Sequence, residues 1–423
     1  MTVLAGLRVL DFTEYIAGPY GGMLLGDMGA DVIKVEPPGG DRWRQGVFYA
    51  PHETRNNLSM NRSKRGIAID LATDDGQKII HKMVRRSDVV MHNFRPGVAE
   101  RLGIDYDTLS ALNPSLVYCH NTAFGARGPL ANKGGYDILS MAATGFLTGP
   151  AGRIEQGKLI AAMGIPVADI SSSIFQALAI CAALWNRERT GRGQKIDTSL
   201  LGAGIAVQAT RMTSVEETDR PRRDQFLANL REHSGAATSL TDLIENRIPE
   251  GQLAHGNFYF RAYETADRPI AVACLNDRLR RRCAEVIGFS DPRQDDSDFD
   301  PEAEGSVDVL KRIAVQVEDI MRTKTFAEWT AVFDEADVPC GPIKFIEELF
   351  DDPQALANDL VVEVDHTTLG PIKMAGAPFD FHGTPLNIHR ASPGIGEHAD
   401  ELLSEFGYSD DEIRLLREGN IIV

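Results

Sequence analysis

Several features that would place a protein in a specialised class are missing from this 423-residue chain. Its five cysteines are scattered and form no CxxC pair, which argues against a disulfide framework or a zinc cluster. No unbroken apolar run approaches the roughly 20 residues that a membrane span requires. The N-terminus lacks the basic and apolar regions of a signal peptide. We therefore expect a cytoplasmic protein with no membrane partner.

Positive charge is also scarce, since 44 Lys and Arg residues face 61 Asp and Glu residues, a formal net charge of -17. This balance argues against a nucleic-acid partner, because neutralising the phosphate backbone requires an excess of Lys and Arg. It does not exclude a small phosphate-bearing ligand, which a local basic pocket can hold within an acidic surface.

Common catalytic and nucleotide-binding motifs are incomplete. Residues 152–158 have P-loop spacing, but Leu159 stands where the motif needs Ser or Thr. Gly202 and Gly204 begin a dinucleotide fingerprint, but Val207 replaces its third glycine. There is no GxSxG elbow, and the histidines have no metal-ligand spacing. The sequence therefore gives no support for an NTP, nicotinamide or metal site.

The first half of the chain alternates between apolar strands and helices. Strands are predicted at 8–12, 31–35, 66–71, 88–91, 115–119 and 194–198, with an amphipathic helix at 74–86 and a buried helix at 174–185. Strands separated by helices indicate βαβ units. We therefore predict an α/β fold with a doubly wound, mostly parallel sheet over residues 1–212.

The pattern changes after about Met212. Residues 213–256 are charged and weakly periodic, which is typical of a linker. Two strands within 257–275, joined by a turn at 267–269, are followed by helices. These features predict a smaller α+β domain at 257–324.

Six blocks of sequence occur in an order and spacing that are highly specific. They are LAGLRVLDFTEYIAGPYGGMLLGDMGADVIKVEPPGGD, MNRSKRGIAIDL, HNFRPGVAERLGIDYDTLSALNPSLVYC, GYDILSMAATGFLTG, PVADISSSIFQALAICAALWNRERTGRGQKIDTSLL and DVPCGPI. Together they resemble the class III (CaiB/BaiF-type) CoA-transferases, the group that contains formyl-CoA:oxalate and carnitine CoA-transferases. The resemblance covers nearly the whole chain and is weakest at 211–257.

The resemblance implies an enzyme that moves coenzyme A from an acyl-CoA thioester to a small carboxylic acid. CoA is then a substrate, and no cofactor is permanently bound. The resemblance also implies a Rossmann-like, CoA-binding large domain, a return of residues 325–423 to that domain, and an interlocked homodimer.

The family's nucleophile is an aspartate in the PVAD-type segment, which falls on Asp169. A carboxylate can attack a thioester to form a mixed anhydride and then an aspartyl-CoA thioester, with no need for ATP. The residues alone allow another interpretation, because Asp169 precedes an apolar helix and is a good N-cap candidate. Tyr136 and Asp137 match a Tyr-plus-acid pair near the nucleophile of the formyl-CoA enzyme, although they are also compatible with a plain helix start.

The resemblance also implies a CoA-binding set. The backbone of one loop would line the acyl site, and a strand end with the helix after it would contact CoA, which assigns Ile16, Ala17, Gly18, Asn93, Phe94 and Arg101. The phosphates of CoA need charge-assisted partners, and we expect one or more members of the basic cluster Arg55, Arg62, Lys64 and Arg65 to contact them. Solvent-exposed positions are the alternative for Arg101 and for each member of the cluster.

Two departures from the oxalate-specific enzyme bear on the acid. Ile16 stands where that enzyme has glutamine, and residues 254–257 replace its glycine-rich lid. Both differences favour a larger or less polar acid. Arg42, Arg44 and His52 are candidates for binding a second carboxylate, with plain surface charge as the alternative.

Two other functions are alternatives to CoA transfer. A 2-methylacyl-CoA racemase, from the same superfamily, carries a catalytic histidine where this chain has Tyr136, and no histidine occurs between His120 and His233. A non-catalytic CoA-binding protein would not need the complete block around Asp169. The sequence leaves open the donor, the acceptor and whether transfer is intramolecular.

Overall fold

The structure is a computed structural model that describes residues 1–46, 48–149, 164–233, 257–301, 303 and 305–423, together with two short strands at 152–155 and 158–161. The chain divides into two compact units. The first combines Met1–Thr241 with Pro353–Val423, and the second is Asp242–Asp352.

The strands are short, as their apolar runs predict. They are β1 (Arg8–Asp11), β2 (Asp31–Glu36), β3 (Phe48–Ala50), β4 (Glu53–Thr54), β5 (Lys64–Ala68), β6 (Val89–His92), β7 (Val117–Thr122), β8 (Gly152–Glu155), β9 (Lys158–Ala161), β10 (Gln194–Ser199), β11 (Phe260–Tyr263), β12 (Ile270–Ala273), β13 (Cys340–Pro342), β14 (Val361–His366) and β15 (Gly370–Ala375).

The helices of the first unit up to residue 233 are α1 (Pro19–Asp27), α2 (Arg55–Met60), α3 (Asp74–Val84), α4 (Val98–Arg101), α5 (Tyr106–Leu112), α6 (Asp137–Ala143), α7 (Val167–Thr190), α8 (Leu200–Ala206) and α9 (Glu216–His233). Those that follow are α10 (Asp277–Ile287), α11 (Pro292–Asp295), α12 (Ser306–Met321), α13 (Phe326–Glu335), α14 (Pro353–Ala357), α15 (Ala399–Glu405) and α16 (Asp410–Glu418). Short 3-10 helices lie at Arg42–Arg44 and Ile346–Asp351.

Six strands form one parallel sheet in the order β10-β7-β6-β1-β2-β5. The chain builds outward from β1 through β2 to β5, then returns beside β1 and builds in the other direction through β6 and β7 to β10. This reversal between β1 and β6 is the topological switch point of a Rossmann-like sheet. The predicted parallel α/β sheet is confirmed.

Both faces of this sheet are covered. Leu10 belongs to one core cluster with Ile80 of α3 and Leu402 of α15. Its neighbour Val9 belongs to another with Ile180 of α7. Because successive side chains of a strand point to opposite faces, a sheet covered on both faces needs the nearly continuous apolar runs seen in the sequence.

Helix α7 is longer than the predicted 174–185. It ends at Thr190 and is followed by Gly191, whose φ of 69° is the left-handed conformation typical of a helix C-terminus. By length and composition α7 is apolar enough to cross a membrane, although polar residues interrupt its apolar run. Half of that stretch is buried inside the protein, where Ala177, Ile180 and Leu184 pack in the core.

The second unit has its own core. Strands β11 and β12 pair antiparallel, as predicted for 257–275, and β13 adds a third strand. Trp329 and Phe333 of α13 are fully buried in a cluster with Phe258 and Cys283. Helix α13 and β13 therefore belong to this unit, and the first unit resumes at Pro353, later than the residue 325 expected from the resemblance.

The C-terminal stretch completes the first unit. Phe406 and Ile413 join the core cluster that contains Leu10, and Ile422 forms a β-bridge with Ile69 just after β5. The apolar faces of α15 and α16 thus cover one side of the parallel sheet.

Candidate active site

A cleft of about 460 Å³ opens at the carboxyl ends of the parallel strands. Its walls come from the segment after β1, the 3-10 helix after β2, the segment after β6, the end of β7 and the first residues of α6, α7 and α8. This is the place where doubly wound sheets bind ligands, because the strand ends diverge on either side of the switch point.

Asp169 lines this cleft from the first turn of α7. The helix begins at Val167, with Pro166 as its N-cap, so Asp169 is the third helical residue. The N-cap interpretation of Asp169 is therefore wrong. The capping bond comes instead from Asp137, whose Oδ1 accepts a hydrogen bond from the backbone N–H of Asp169 at 3.0 Å.

The Asp169 carboxylate is left without a protein partner. Among the residues that the structure describes, none donates a hydrogen bond to it or forms an ion pair with it. Burial, followed by the negative charge of Asp137, raises the pKa of Asp169 to about 7. Burial also raises the pKa of Asp137, although backbone N–H groups of Asp169 and Ala168 stabilise its anion. Asp169 is thus a basic carboxylate that faces an open cleft.

Tyr136 and Tyr15 form an aromatic wall of the cleft. The Tyr136 side chain is half exposed and its ring meets the Tyr15 ring edge-on, with centroids 5.9 Å apart. Tyr136 precedes Asp137, which caps α7, so the start of α6 is tied directly to the start of the helix that carries Asp169.

The segment 14–18 is held tightly beside Asp169. Asn93 Nδ2 donates to the carbonyl oxygens of Glu14 at 2.7 Å and Ala17 at 2.9 Å, while its Oδ1 accepts from the Glu14 N–H. The Gly18 N–H donates to Ser173 Oγ at 2.8 Å. Asn93 and Ala17 line the cleft, but the Asn93 amide and the Gly18 N–H already have protein partners. Their role here is to fix the loop.

The loop requires glycine at position 18. The backbone there has a φ of 136°, and a methyl group in place of the α-hydrogen would lie 2.4 Å from Cγ2 of Thr13. Ile16 is buried next to it, and its carbonyl oxygen accepts from Ser173 Oγ at 2.9 Å. The loop thus packs directly against α7.

Three members of the predicted phosphate-binding cluster lie inside the fold. Arg62 is paired with Asp27 at 2.8 Å, and Lys64 with Asp11 at 2.8 Å, all four side chains being buried. Arg62 also donates to the carbonyl of Ala375. These charges are neutralised within the protein, because buried charges need partners. The expectation of phosphate contact is corrected for both residues.

The other two members of the cluster differ from each other. Arg65 is mostly buried and pairs with Asp31 at 2.7 Å, and with Glu401 and Glu405 at 2.6 Å. Its charge is also neutralised, and the same correction applies. Arg55 is exposed, with its Nε donating to the Tyr49 hydroxyl at 2.7 Å.

The three residues considered for binding a second carboxylate lie in different environments. Arg44 is buried and pairs with Glu36 at 2.8 Å and Glu53 at 3.2 Å. His52 is exposed and is not a wall of the cleft. Only Arg42 of these three lines the cleft with Asp169. Of the residues 254–257 that replace the glycine-rich lid, only Asn257 lies within the described chain.

Phe94 and Arg101 line the cleft as the resemblance implies. Arg95, Asn121 and Thr122 also line it, although sequence reasoning did not single them out. Each lies at or just after the end of a predicted strand, and the rule that ligands bind at such ends is a signal that would have found them. No group of three or more His, Cys, Asp or Glu side chains is placed to hold a metal ion within the described parts of the chain.

Comparisons with known proteins show which family the chain belongs to. A family model described as CoA-transferase family III matches residues 4–399. The chain is 35% identical to a succinate–glutarate CoA-transferase of Agrobacterium fabrum, over 95% of each chain. It is 29% identical to a succinyl-CoA:glutarate CoA-transferase of Homo sapiens, over 96% of this chain and 86% of that one. A solved CAIB/BAIF family protein from Brucella suis has a TM-score of 0.72 at 27% identity, covering 96% of this chain and 99% of that one. The chain therefore belongs to CoA-transferase family III and is a CoA-transferase.

Proposed function

We propose that this enzyme transfers CoA from an acyl-CoA to a carboxylic acid through covalent intermediates on Asp169. The observation that carries the proposal is a carboxylate in the first turn of a 24-residue helix that faces the cleft and has no partner among the described residues. The positive end of the helix dipole favours the anion that must attack.

The reaction proceeds in four balanced steps. The Asp169 carboxylate attacks the thioester carbonyl and expels CoA thiolate, which leaves an acyl–aspartyl anhydride. The thiolate attacks the aspartyl carbonyl of this anhydride, which releases the donor acid and leaves an aspartyl-CoA thioester. The acceptor carboxylate attacks that thioester to form a new anhydride and thiolate. The thiolate then attacks the acceptor's acyl carbonyl, which releases the new acyl-CoA and restores Asp169.

The environment of Asp169 suits this cycle. A carboxylate with a pKa of about 7 is more nucleophilic than an ordinary aspartate and is still partly ionised at neutral pH. Asp137 contributes by raising that pKa and by fixing the start of α7 through the 3.0 Å bond to the Asp169 N–H. Tyr136 lies on the same wall and is positioned to contact the acyl group.

For the phosphates of CoA we propose Arg95 and Arg101 in place of the buried members of the basic cluster. Both follow β6 and line the cleft, and Arg101 is exposed. Guanidinium groups bind phosphate oxygens through paired charge-assisted hydrogen bonds. Phe94 lies beside them and offers an apolar surface to the rest of the ligand.

Trapping of the covalent intermediate tests the nucleophile. Wild-type enzyme incubated with succinyl-CoA and hydroxylamine is expected to yield a hydroxamate on Asp169, detected by mass spectrometry of its peptide. Asp169→Asn should lose this product and still bind CoA. Glu14→Gln removes the other half-buried carboxyl of the cleft and should retain it. A hydroxamate on Glu14, or its formation in Asp169→Asn, would remove Asp169 from the mechanism.

We also propose that the enzyme is a homodimer, as the resemblance implies. Ile174, Leu178 and Trp185 of α7 are 43%, 65% and 68% exposed. Their spacings of four and seven residues place them on one helix face. A stripe of large apolar side chains on the surface is typical of a contact with another chain. Whether two copies interlock stays a prediction from the resemblance.

A further inference from the structure

Arginines approach the cleft from two different strand ends. Arg95 and Arg101 follow β6, whereas Arg42 follows β2, and β1 lies between these two strands. Neighbouring strands are about 4.8 Å apart, so the two backbones are separated by roughly 10 Å. A ligand that spans the cleft can therefore meet positive charge near both ends.

The Arg42 turn and the Tyr15 loop are fixed by one buried carboxylate. Asp41 Oδ1 accepts from the backbone N–H of Trp43 at 2.9 Å and from that of Tyr15 at 3.4 Å. Its Oδ2 pairs with the buried ammonium of Lys34 at 2.8 Å. Because Asp41 holds both segments, Arg42 and Tyr15 are presented to the cleft as one preorganised wall.

Tyr15 adds a hydroxyl group to this wall. Its backbone has a φ of 64°, a conformation that a bulky residue adopts only where surrounding contacts impose it. Its ring packs edge-on against Trp43 at 5.4 Å and Tyr136 at 5.9 Å. Its hydroxyl interacts with the side chains of Arg42 and Tyr136. One guanidinium and two hydroxyls therefore lie together on the wall of the cleft that Asp169 also lines.

The charge of Arg42 is available for a ligand. Its side chain is exposed, and within the described chain no carboxylate lies within 4.0 Å of its guanidinium, unlike that of its neighbour Arg44. Glu14 lies on the same wall, but burial and the nearby charge of Asp41 raise its pKa. The charge of Arg42 in turn lowers that pKa, but the two side chains form no ion pair within the described chain, so Glu14 does not occupy the guanidinium.

We propose that Arg42, assisted by the Tyr15 hydroxyl, binds the distal carboxylate of a dicarboxylic acyl group whose other carboxyl reacts at Asp169. The inference rests on the proposed function and adds a substrate class, dicarboxylic acids. Arginine is suited to this task because its planar fork binds both oxygens of a carboxylate. A monocarboxylic acid of equal length leaves the guanidinium and the hydroxyl without their partner, which is how a polar site discriminates strongly.

Direct binding tests this inference without any turnover. Glutarate and pentanoate share a five-carbon chain and differ in one carboxylate. Isothermal titration of both acids into enzyme saturated with CoA should show tighter binding of glutarate to the wild type. Arg42→Gln should weaken glutarate binding about 10- to 100-fold and leave pentanoate binding unchanged. Arg42→Lys keeps the charge but loses the planar guanidinium. Its affinity for glutarate should lie between those of the wild type and Arg42→Gln.

Controls separate this site from CoA binding and from the nucleophile. Arg101→Gln should weaken CoA binding and leave the preference for glutarate intact once CoA is saturating. If Arg42→Gln weakens both acids equally, or if the wild type does not prefer glutarate, the inference is wrong. These binding outcomes do not depend on the hydroxamate test, which measures covalent chemistry at Asp169 in the wild type. A wild type that yields no Asp169 hydroxamate with succinyl-CoA would contradict the proposed function, whereas a glutarate preference lost in Arg42→Gln would still support the distal site.

Discussion

Replacement of Asp169 by asparagine is expected to stabilise the folded protein at alkaline pH. The folded protein holds the pKa of Asp169 at about 7, above the ordinary aspartate value of 3.8 that applies to an unfolded chain. Between these values the folded state binds more protons than the unfolded state, so stability falls as pH rises through this window. Above pH 7 the loss is complete, and below about pH 4 it is absent. Asparagine does not titrate and escapes the loss.

The magnitude follows from the two pKa values. Their difference of about three corresponds to roughly 4 kcal/mol, at 1.36 kcal/mol for each tenfold change in proton affinity. Because Asp169 faces an open cleft and is partly solvated, we expect about half of this, ~2 kcal/mol at pH 8.5. At pH 4.5 the advantage of Asp169→Asn should fall below ~1 kcal/mol.

Urea denaturation of the two proteins at pH 4.5, 6.5 and 8.5 measures this difference directly. Other carboxylates titrate in both proteins, so they cancel when the free energies of unfolding are subtracted. Asp107→Asn, at an exposed position in the first turn of α5, is the matched control and should show no comparable gain. If Asp169→Asn is no more stable than the wild type at pH 8.5, or if its gain is the same at pH 4.5, then the argument for a buried, basic carboxylate fails.

Three further predictions concern two supports of the site and the proposed dimer contact. Gly18→Ala should lower the free energy of unfolding, measured by urea denaturation, by more than ~2 kcal/mol, because the new methyl group meets Thr13. The same change should slow hydroxamate formation. An unchanged free energy of unfolding would contradict the steric argument. Lys64→Ala should lower the free energy of unfolding by about 3–5 kcal/mol in the same assay, since it leaves the Asp11 carboxylate buried and unpaired. A decrease below about 1 kcal/mol would show that solvent reaches that carboxylate. Leu178→Asp should convert dimers to monomers in sedimentation velocity at micromolar concentration, and an intact dimer would place the dimer contact elsewhere.

Local sequence patterns were sufficient for the elements of the sheet. The strands predicted at 8–12, 31–35 and 88–91 overlap β1, β2 and β6, and the helix predicted at 74–86 begins at Asp74 as observed. These predictions succeed because periodicity and capping act over a few residues. Thr73, for example, caps α3 by accepting from the Gly76 N–H three residues away. Helix α7 was predicted too short because its first turn has little apolar periodicity and is capped from α6.

The basic cluster shows where local reasoning fails. Arg62, Lys64 and Arg65 were expected to face a phosphate because the sequence shows several cations close together. Their aspartate partners lie 35, 53 and 34 residues earlier in the chain, and only the folded sheet brings them together. From the local sequence, a cation in an extended segment that will face solvent cannot be distinguished from one that will pair with a buried carboxylate.

The sequence by itself determined the parallel α/β architecture and, through the order of its motifs, the CoA-transferase family and the position of Asp169, since these depend on residue type and spacing along the chain. Tertiary structure alone decided which charges remain available in the cleft. It neutralised Arg62, Lys64, Arg65 and Arg44 and left Arg42 open to a ligand. The physical reason is that a buried charge must find a partner of opposite sign, and that partner is selected by proximity in space and not by proximity in sequence.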